Sequence, residues 1–330
     1  MHTWHNDLPQ DMVVRASGKN LARIDENFAG PSGRGEEWRY DFPAYSEWGI
    51  GNYAPLATGT RRTDWVSTDG ANRWGQEAMD GLSNAWGVRR KYEPGSVTSD
   101  EWFEPIQRPY LNNNFLGPTR TDNDFRIDVP GYGNADHVGS LQDWQRANQT
   151  TTLYQGDKKL GSTSNGLIMY PAASSAEPQK YRLVVENRRD ASVSPFSSAT
   201  TTAWTFTSAA PKVAGQRDLL PLLQIRYGLQ PDDSGSVSRD ARFGVTVEQR
   251  APVSVGLVDV KVAGGGSPRT QKVDVSYDDG ATWTHVREDY RGSYRLDAPR
   301  KARFVSLRVT GNDSAGNTVD QTVIRAVGLR

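Results

Sequence analysis

The stretch from Val273 to Val286, Val-Asp-Val-Ser-Tyr-Asp-Asp-Gly-Ala-Thr-Trp-Thr-His-Val, constrains its own fold more tightly than any other part of the chain. Apolar and polar residues alternate around Asp278-Asp279-Gly280, and a period of two is typical of a half-buried strand. Gly280 can adopt the positive φ that a tight turn requires. The stretch therefore predicts a β-hairpin. Similar short runs between turn residues predict an all-β chain.

The same hairpin fits the Asp-box pattern, Ser-x-Asp-x-Gly-x-Thr-Trp. In this pattern the carboxylate of Asp278 binds amides of its own turn, Gly280 reverses the chain, and Trp283 packs beneath the turn. These three residues are therefore predicted to have a structural role. The pattern specifies a local shape and does not specify a reaction.

Composition excludes several classes of partner. The 39 Lys and Arg residues equal the 39 Asp and Glu residues, so no net charge attracts nucleic acid or an anionic membrane. The chain has no cysteine, which excludes disulfides and thiolate metal sites. No apolar run approaches the roughly 18 residues of a membrane-spanning helix. We expect no nucleic-acid binding and no membrane insertion.

The 330 residues suffice for two domains of ordinary size. The segment Ser208-Ala209-Ala210-Pro211, small residues ended by a proline, predicts the boundary between them. We expect a larger β-sandwich with long aromatic and acidic loops over residues 1–208. Over residues 209–330 we expect an immunoglobulin-like or fibronectin type III-like sandwich, because the sequence shows about eight short strands separated by turns.

Two further expectations concern the packing of these domains. Trp283 and Phe304 are the predicted core anchors of the second domain, since large aromatic residues usually fill sandwich cores. The polar stretch from Arg108 to Gly139 is predicted to be an insertion. Its few apolar residues are spaced to fasten a loop to the surface and not to build a core.

The densest carboxylate cluster in the sequence lies in that insertion, at Asp122, Asp124 and Asp128. Calcium prefers carboxylate and carbonyl oxygens, so these residues are candidate ligands of a calcium ion. Their spacing differs from that of an EF-hand loop. A solvated loop without a metal is the alternative, and no other cofactor is expected.

Aromatic residues are concentrated between residues 30 and 110, and Trp38, Trp48 and Trp102 are candidates for a surface on which a sugar or peptide stacks. The alternative is that these rings fill the core or fasten loops. No catalytic residue is predicted, because none of the four histidines has a hydroxyl and a carboxylate placed beside it by any recognisable pattern.

Three stretches of the chain follow a known pattern: 201–208, Thr-Thr-Ala-Trp-Thr-Phe-Thr-Ser; 273–283 of the hairpin; and 304–326, which includes Phe-Val-Ser-Leu-Arg-Val-Thr and Asp-Ser-Ala-Gly-Asn-Thr. Through these stretches, residues 200–330 resemble the C-terminal region of large secreted subtilisin-like (S8 family) serine proteases of bacteria. The family's catalytic segments, Gly-Thr-Ser-Met-Ala and His-Gly-Thr, do not occur in this sequence.

The resemblance implies an extracellular, non-catalytic accessory region of a secreted serine endopeptidase, which docks on the catalytic domain or binds a protein substrate. A carbohydrate-binding module of a secreted hydrolase is the alternative, suggested by the aromatic loops and the Asp-box. A sialidase-like hydrolase is a third reading, although such propellers repeat the Asp-box and this chain has one copy.

Overall fold

The computed structural model of the chain describes residues 17, 19–30, 37–43, 52–68, 73–113, 115–134, 136–141, 147–164, 168–171, 177–255 and 258–330. These residues form strands, turns and irregular segments, and helices are absent from them, which confirms the all-β prediction. The chain divides into two compact units, Met1–Phe103 and Glu104–Arg330.

The first unit contains two sheets, with strand orders β4-β1-β7 and β6-β5-β2-β3. Strand β1 is antiparallel to β4 and parallel to β7. Every second residue of β1 is buried, as the alternation of its sequence predicts. The strands of this unit are β1 Leu21–Phe28, β2 Glu37–Pro43, β3 Asn52–Pro55, β4 Thr60–Ser67, β5 Trp74–Asp80, β6 Ser83–Trp86 and β7 Val97–Trp102.

Two apolar clusters fill the space between these sheets. Ile24 of β1 packs in one cluster with Trp74 of β5, and Phe28 of β1 packs in the other with Trp102 and with Ala78 of β5. Because each cluster joins residues from both sheets, the first unit is a β-sandwich.

The second unit is organised around one nine-stranded sheet of order β12-β11-β14-β15-β27-β26-β23-β24, with β18 paired to β27. Smaller sheets of orders β13-β9-β8-β16, β17-β20, β19-β25 and β21-β22 complete the unit. Its strands are β8 Thr119–Thr121, β9 Asp124–Ile127, β10 Val138–Leu141, β11 Ala147–Gln155, β12 Lys158–Ser164, β13 Ile168–Pro171, β14 Gln179–Arg189, β15 Ala199–Ser208, β16 Arg217–Leu219, β17 Gln224–Tyr227, β18 Ser236–Val237, β19 Arg242–Phe243, β20 Val245–Glu248, β21 Val253–Val255, β22 Val258–Val260, β23 Pro268–Ser276, β24 Thr284–His285, β25 Tyr294–Arg295, β26 Phe304–Asp313 and β27 Thr318–Leu329.

One face of the nine-stranded sheet is apolar, and the smaller sheets cover it. Phe125 of β9 meets the ring of Tyr181 on β14 edge to face, with ring centroids 4.8 Å apart. The indole Nε1 of Trp204 on β15 donates a hydrogen bond to the carbonyl oxygen of Leu223, at 2.7 Å. The second unit is therefore also a sandwich with one continuous core.

The predicted boundary at Ser208–Pro211 lies inside the second unit. Strands β15 and β27 are antiparallel neighbours, in register from Ala199 opposite Ile324 to Thr205 opposite Thr318. Residues on both sides of the proline thus share one sheet, and the division of the chain lies between Phe103 and Glu104 instead. Small residues and a proline indicate a break in local structure, but they do not reveal which distant strands pair across it.

The polar stretch from Arg108 to Gly139 also differs from its prediction. Leu111, Phe125 and Ile127 are almost completely buried and belong to the main core of the second unit. Leu111 lies outside the strands, and β9, which carries Phe125 and Ile127, has only 4 residues, so the apolar residues are too few to show a clear period in the sequence.

The core anchors predicted for the second sandwich are corrected as well. Trp283 and Phe304 are only half-buried. The sites that are fully enclosed in this part of the sheet belong to aliphatic residues, Val273, Leu307 and Val323. Both aromatic side chains lie at the margin of the sheet, where strands end in turns.

Candidate binding surfaces

The three tryptophans proposed as a stacking surface do not form one. Trp102 is completely buried on the inward side of β7, with the ring of Phe28 stacked at 6.1 Å and the guanidinium of Arg39 4.8 Å from its centroid. A ligand cannot reach it, so Trp102 is a core residue. Trp38 is half-buried on β2, and Trp48 lies outside the described residues.

The three candidate calcium ligands are not brought together either. Asp122 and Asp124 are exposed at the turn between β8 and β9, and the Oδ1 atom of Asp122 accepts a hydrogen bond from the amide of Gly215 at 2.8 Å. Asp128 is half-buried, and burial raises the pKa of its carboxyl group. In the part of the chain that the structure describes, no three His, Cys, Asp or Glu side chains are arranged to hold a metal ion.

The hairpin predicted around Asp278 is confirmed, with Asp274 of β23 opposite His285 of β24. The Oδ1 atom of Asp278 accepts hydrogen bonds from the amide of Thr282 at 2.8 Å and from the hydroxyl of Ser276 at 2.7 Å. The hydroxyl of Thr282 donates to Oδ2 at 2.6 Å, and this bond, followed by the other two, lowers the pKa of Asp278 to about 2. These hydrogen bonds of the Asp278 carboxylate stay within its own turn.

Gly280 and Trp283 complete this turn. Gly280 has a φ of 89°, a conformation that glycine adopts without strain. A Cβ atom at Gly280 would lie 3.4 Å from Cζ2 of Trp283, so the indole packs directly under the turn. On its other side the guanidinium of Arg308 lies 4.6 Å from the indole centroid.

An ionic cluster lies in the interior of the first unit. Arg39 places one terminal nitrogen 2.5 Å from Oε1 of Glu26 and 3.2 Å from Oδ1 of Asp41. Burial raises the pKa of Glu26, and the charge of Arg39 opposes that shift. Perturbed carboxyl groups often indicate an active site. Here all three side chains are enclosed between the sheets, so they can stabilise the sandwich but cannot touch a ligand.

The outer face of the sheet β4-β1-β7 carries an exposed indole that the sequence analysis did not select. Trp65 of β4 is 56% exposed and lies opposite Arg23 of β1, which lies opposite Val97 of β7. The next residue, Val66, points into the core. Because successive side chains of a strand point to opposite faces, this alternation is the sequence signal that Trp65 is exposed. We call this surface the Trp65 face. Two cross-strand rows define it: the first consists of Trp65, Arg23 and Val97, and the second of Thr63, Asp25 and Ser99.

The outer face of the nine-stranded sheet is the second open surface. Residues that alternate with the buried Tyr181, Trp204 and Val323 point away from the core, and most are polar. Threonines lie opposite one another across β15 and β27. We call this surface the threonine face and define it by Arg182, Glu186, Thr201, Thr205, Thr318 and Thr322.

The threonine face continues onto β23 and β26 through an ion cluster. Asp274 lies 3.0 Å from the Nζ atom of Lys272 and 2.9 Å from a guanidinium nitrogen of Arg308. The ring Nδ1 of His285 lies 3.3 Å from the same carboxylate. Burial acts to raise the pKa of Asp274, but the contacts with Lys272 and Arg308 outweigh it and lower that pKa.

No helix in the described ranges is long and apolar enough to span a membrane. No protein-family model and no curated protein matches this chain. Among solved structures, it is similar to the three N-terminal domains of the highly immunogenic outer capsid protein (Hoc) of bacteriophage RB49, with 10% identity, coverage of 94% of this chain and 98% of that chain, and a TM-score of 0.21.

Two further solved structures consist of domains named FN and Ig. The FN1–FN3 domains of chicken CNTN1 share 12% identity, with 88% of this chain and 89% of that chain covered and a TM-score of 0.18. The N-terminal four Ig domains of Dscam1 isoform 6.44 share 10% identity, with 90% of this chain and 65% of that chain covered and a TM-score of 0.18. Similarities of this size are too low to support an argument about function.

Proposed function

We propose that this chain is a non-catalytic accessory region of an exported subtilisin-like serine protease and acts outside the cell by binding protein. The resemblance of residues 200–330 to such accessory regions supports the identity of the parent enzyme. The threonine face supports the binding role, and it is the observation on which the proposal depends. Its partner would be the catalytic domain of the protease or a protein substrate.

The threonine face has the properties of a preformed protein-binding surface. Its residues lie on paired strands and not on loops, so their positions are set by the sheet. Threonine is stiff at χ1, and little side-chain entropy is lost when a partner covers it. Arg182 lies opposite Thr205, and Glu186 lies opposite Thr201, so one positive and one negative side chain of β14 each lie beside a threonine of β15.

This surface is flat and polar, and it is therefore suited to another folded surface. A groove for a small molecule would need convergent walls and an apolar floor. Here the side chains stand in parallel rows, with most of the apolar ones on the opposite side of the sheet. An interface of this kind gains specificity from paired charges at its rim and from shape at its centre.

Binding to the catalytic domain can be tested with two charge substitutions. The reading frame upstream of Met1 is sequenced, and the subtilisin-like domain that we expect there is expressed separately. Its affinity for this chain is measured by calorimetry. Thr201→Arg and Thr322→Arg put long charged side chains into the centre of the threonine face, and each is expected to weaken binding at least about tenfold.

Thr246→Arg is the matched control, because Thr246 is an exposed threonine on β20, outside the threonine face. Equal binding by all three variants would contradict the docking surface. An upstream frame without a protease domain would contradict the parent enzyme. Hydrolysis of casein by the purified chain, with no added protease, would contradict a non-catalytic role.

A further inference from the structure

We propose that the Trp65 face binds a neutral polysaccharide, with the indole of Trp65 as the platform on which a sugar ring stacks. This site lies in the first unit and involves none of the residues of the threonine face. It also differs from the aromatic set that the sequence suggested, of which Trp102 is buried.

Trp65 and Val97 are the apolar parts of this surface. They are 56% and 62% exposed, so a ligand can reach both side chains. Arg23 lies between them in the cross-strand row, so the two do not form a continuous apolar patch. A hydrophobic protein interface requires such a patch, and here it is interrupted by a charge.

Polar groups beside the indole are held in place by hydrogen bonds. The Nε atom of Arg23 donates to Oδ1 of Asp25 at 2.7 Å, and the hydroxyl of Thr63 donates to the same oxygen at 2.9 Å. Among the described residues both bonds end on Oδ1, so Oδ2 remains as an acceptor for a ligand hydroxyl. These bonds lower the pKa of Asp25, which keeps the carboxylate ionised.

This combination matches the chemistry of a sugar. A pyranose ring presents C–H bonds on its face and hydroxyl groups around its rim. The C–H face packs on the electron-rich face of an indole, and the hydroxyls need fixed donors and acceptors nearby. Neighbouring strands are about 4.8 Å apart and successive outward residues about 7 Å apart, so the two rows form an area of disaccharide size.

The local charge indicates a neutral ligand. Arg23 and Asp25 form an ion pair at 2.7 Å, so the polar groups nearest the indole carry no net charge. Single-stranded nucleic acid is bound by aromatic platforms inside a positively charged groove, and a paired arginine does not supply one. A polysaccharide without sulfate or carboxylate groups is therefore the ligand class that the Trp65 face fits.

The proposal is tested with the whole chain in native gels that contain hydroxyethyl cellulose, mixed-linkage β-glucan, xylan or galactomannan. At least one of these polymers is expected to retard the wild-type chain. Trp65→Ala should abolish the retardation, and Trp65→Phe should retain part of it, because a smaller ring still offers a stacking face. Arg23→Ala should weaken binding about tenfold or more, since the ordered acceptor at Asp25 is lost.

Tyr290→Ala is the control, because Tyr290 is an aromatic residue of the second unit that is 89% exposed. It should bind like the wild type, and all variants should melt at the same temperature. The proposal is overturned if no polymer retards the wild type, or if Trp65→Ala binds as tightly as the wild type. A concentration-dependent dimer that Trp65→Ala dissociates, without binding to any polymer, would assign this face to a second copy of the chain.

Discussion

Two tryptophans of the second unit illustrate how burial determines the energetic weight of a residue. Trp204 is 1% exposed, and its indole nitrogen is bonded to the carbonyl oxygen of Leu223. Trp283 is half-buried, with one face under the guanidinium of Arg308. Both are surrounded by similar alternating residues in the sequence, and only their surroundings in the sheet distinguish them.

We predict that Trp204→Ala lowers the free energy of unfolding by about 3 to 5 kcal/mol, because it leaves a large cavity and an unpaired carbonyl group. Trp283→Ala should cost about 1 to 2 kcal/mol, since a smaller apolar area is exposed and one cation–π contact is lost. Urea denaturation of the two variants and the wild type measures both values. Equal losses would show that Trp283 is a core anchor after all.

Glu77 gives the first unit a pH-dependent stability. Burial raises the pKa of Glu77 to about 7, and a hydrogen bond with Trp86 opposes the shift. An unfolded glutamate titrates near pH 4.3, so between these values the folded chain holds a proton that the unfolded chain has lost. The contribution of Glu77 to stability is therefore complete in acid and is lost as the pH rises through about 7.

We expect Glu77→Gln to remove this dependence. Between about pH 5 and about pH 8 the wild type should lose roughly 1 to 2 kcal/mol more of its unfolding free energy than the variant, after allowance for solvent screening of the carboxylate. Urea titrations at both pH values give the difference. Glu186→Gln, at an exposed position of β14, should follow the wild type. Parallel profiles for Glu77→Gln and the wild type would contradict the assignment.

At the scale of elements, buried arginines explain how the polar stretch after Glu104 becomes part of the core. Arg108 is 1% exposed, donates to the carbonyl oxygen of Ile225 at 2.5 Å, and lies 4.9 Å from the ring centroid of Tyr110. Arg250 is 2% exposed and donates to the carbonyl oxygens of Phe115 and Pro118. These guanidinium groups supply side-chain donors to backbone carbonyl oxygens of this part of the chain.

Arg250→Lys tests this explanation. A lysine has the charge but not the planar fork that reaches two carbonyl oxygens, so we expect the unfolding free energy to fall by about 1 to 3 kcal/mol. Arg287→Lys, at an exposed position after β24, should leave it unchanged. Guanidinium denaturation compares the two variants. An unchanged stability for Arg250→Lys would show that the fork geometry does not matter.

At the scale of the molecule, the pairing of β15 with β27 makes residues 104–330 one unit. Gln321 of β27 is 2% exposed and donates to the hydroxyl of Thr202 on β15 at 3.0 Å, and its Oε1 accepts from the hydroxyl of Tyr227 at 3.2 Å. A buried polar group of this kind is costly to separate from its partners. Residues 104–208 and residues 209–330 are therefore expected to fold together.

Fragments test this prediction directly. Residues 104–330 should be monomeric and should unfold in a single cooperative transition. Residues 209–330 should aggregate, because the fragment exposes the unpaired edge of β27 and the apolar surface that faces Trp204. Size-exclusion chromatography and urea unfolding provide the comparison. A monomeric 209–330 fragment with full stability would restore the boundary predicted at Ser208–Pro211.

The candidate sites were less predictable than the strands. The sequence predicted the turn at Asp278 and Gly280, because the hydrogen bonds of the Asp278 carboxylate and of the Gly280 amide join residues within four positions of one another. It singled out Trp102 as a ligand residue and did not single out Trp65 among the aromatic residues between 30 and 110. Composition cannot distinguish the two, since which side of a strand faces the core depends on the sheet packed against it.

The sequence alone determined the all-β class, the hairpin at Asp278 and the alternation of β14 and β15, since each depends on residues close together in the chain. Only the tertiary structure decided the division at Phe103, the burial of the stretch after Arg108 and the exposure of Trp65. These features depend on pairings between distant strands. A local pattern determines which residues can share one face of a strand. The free energy of burying that face depends on the strands that pack against it, and these lie far away in the sequence.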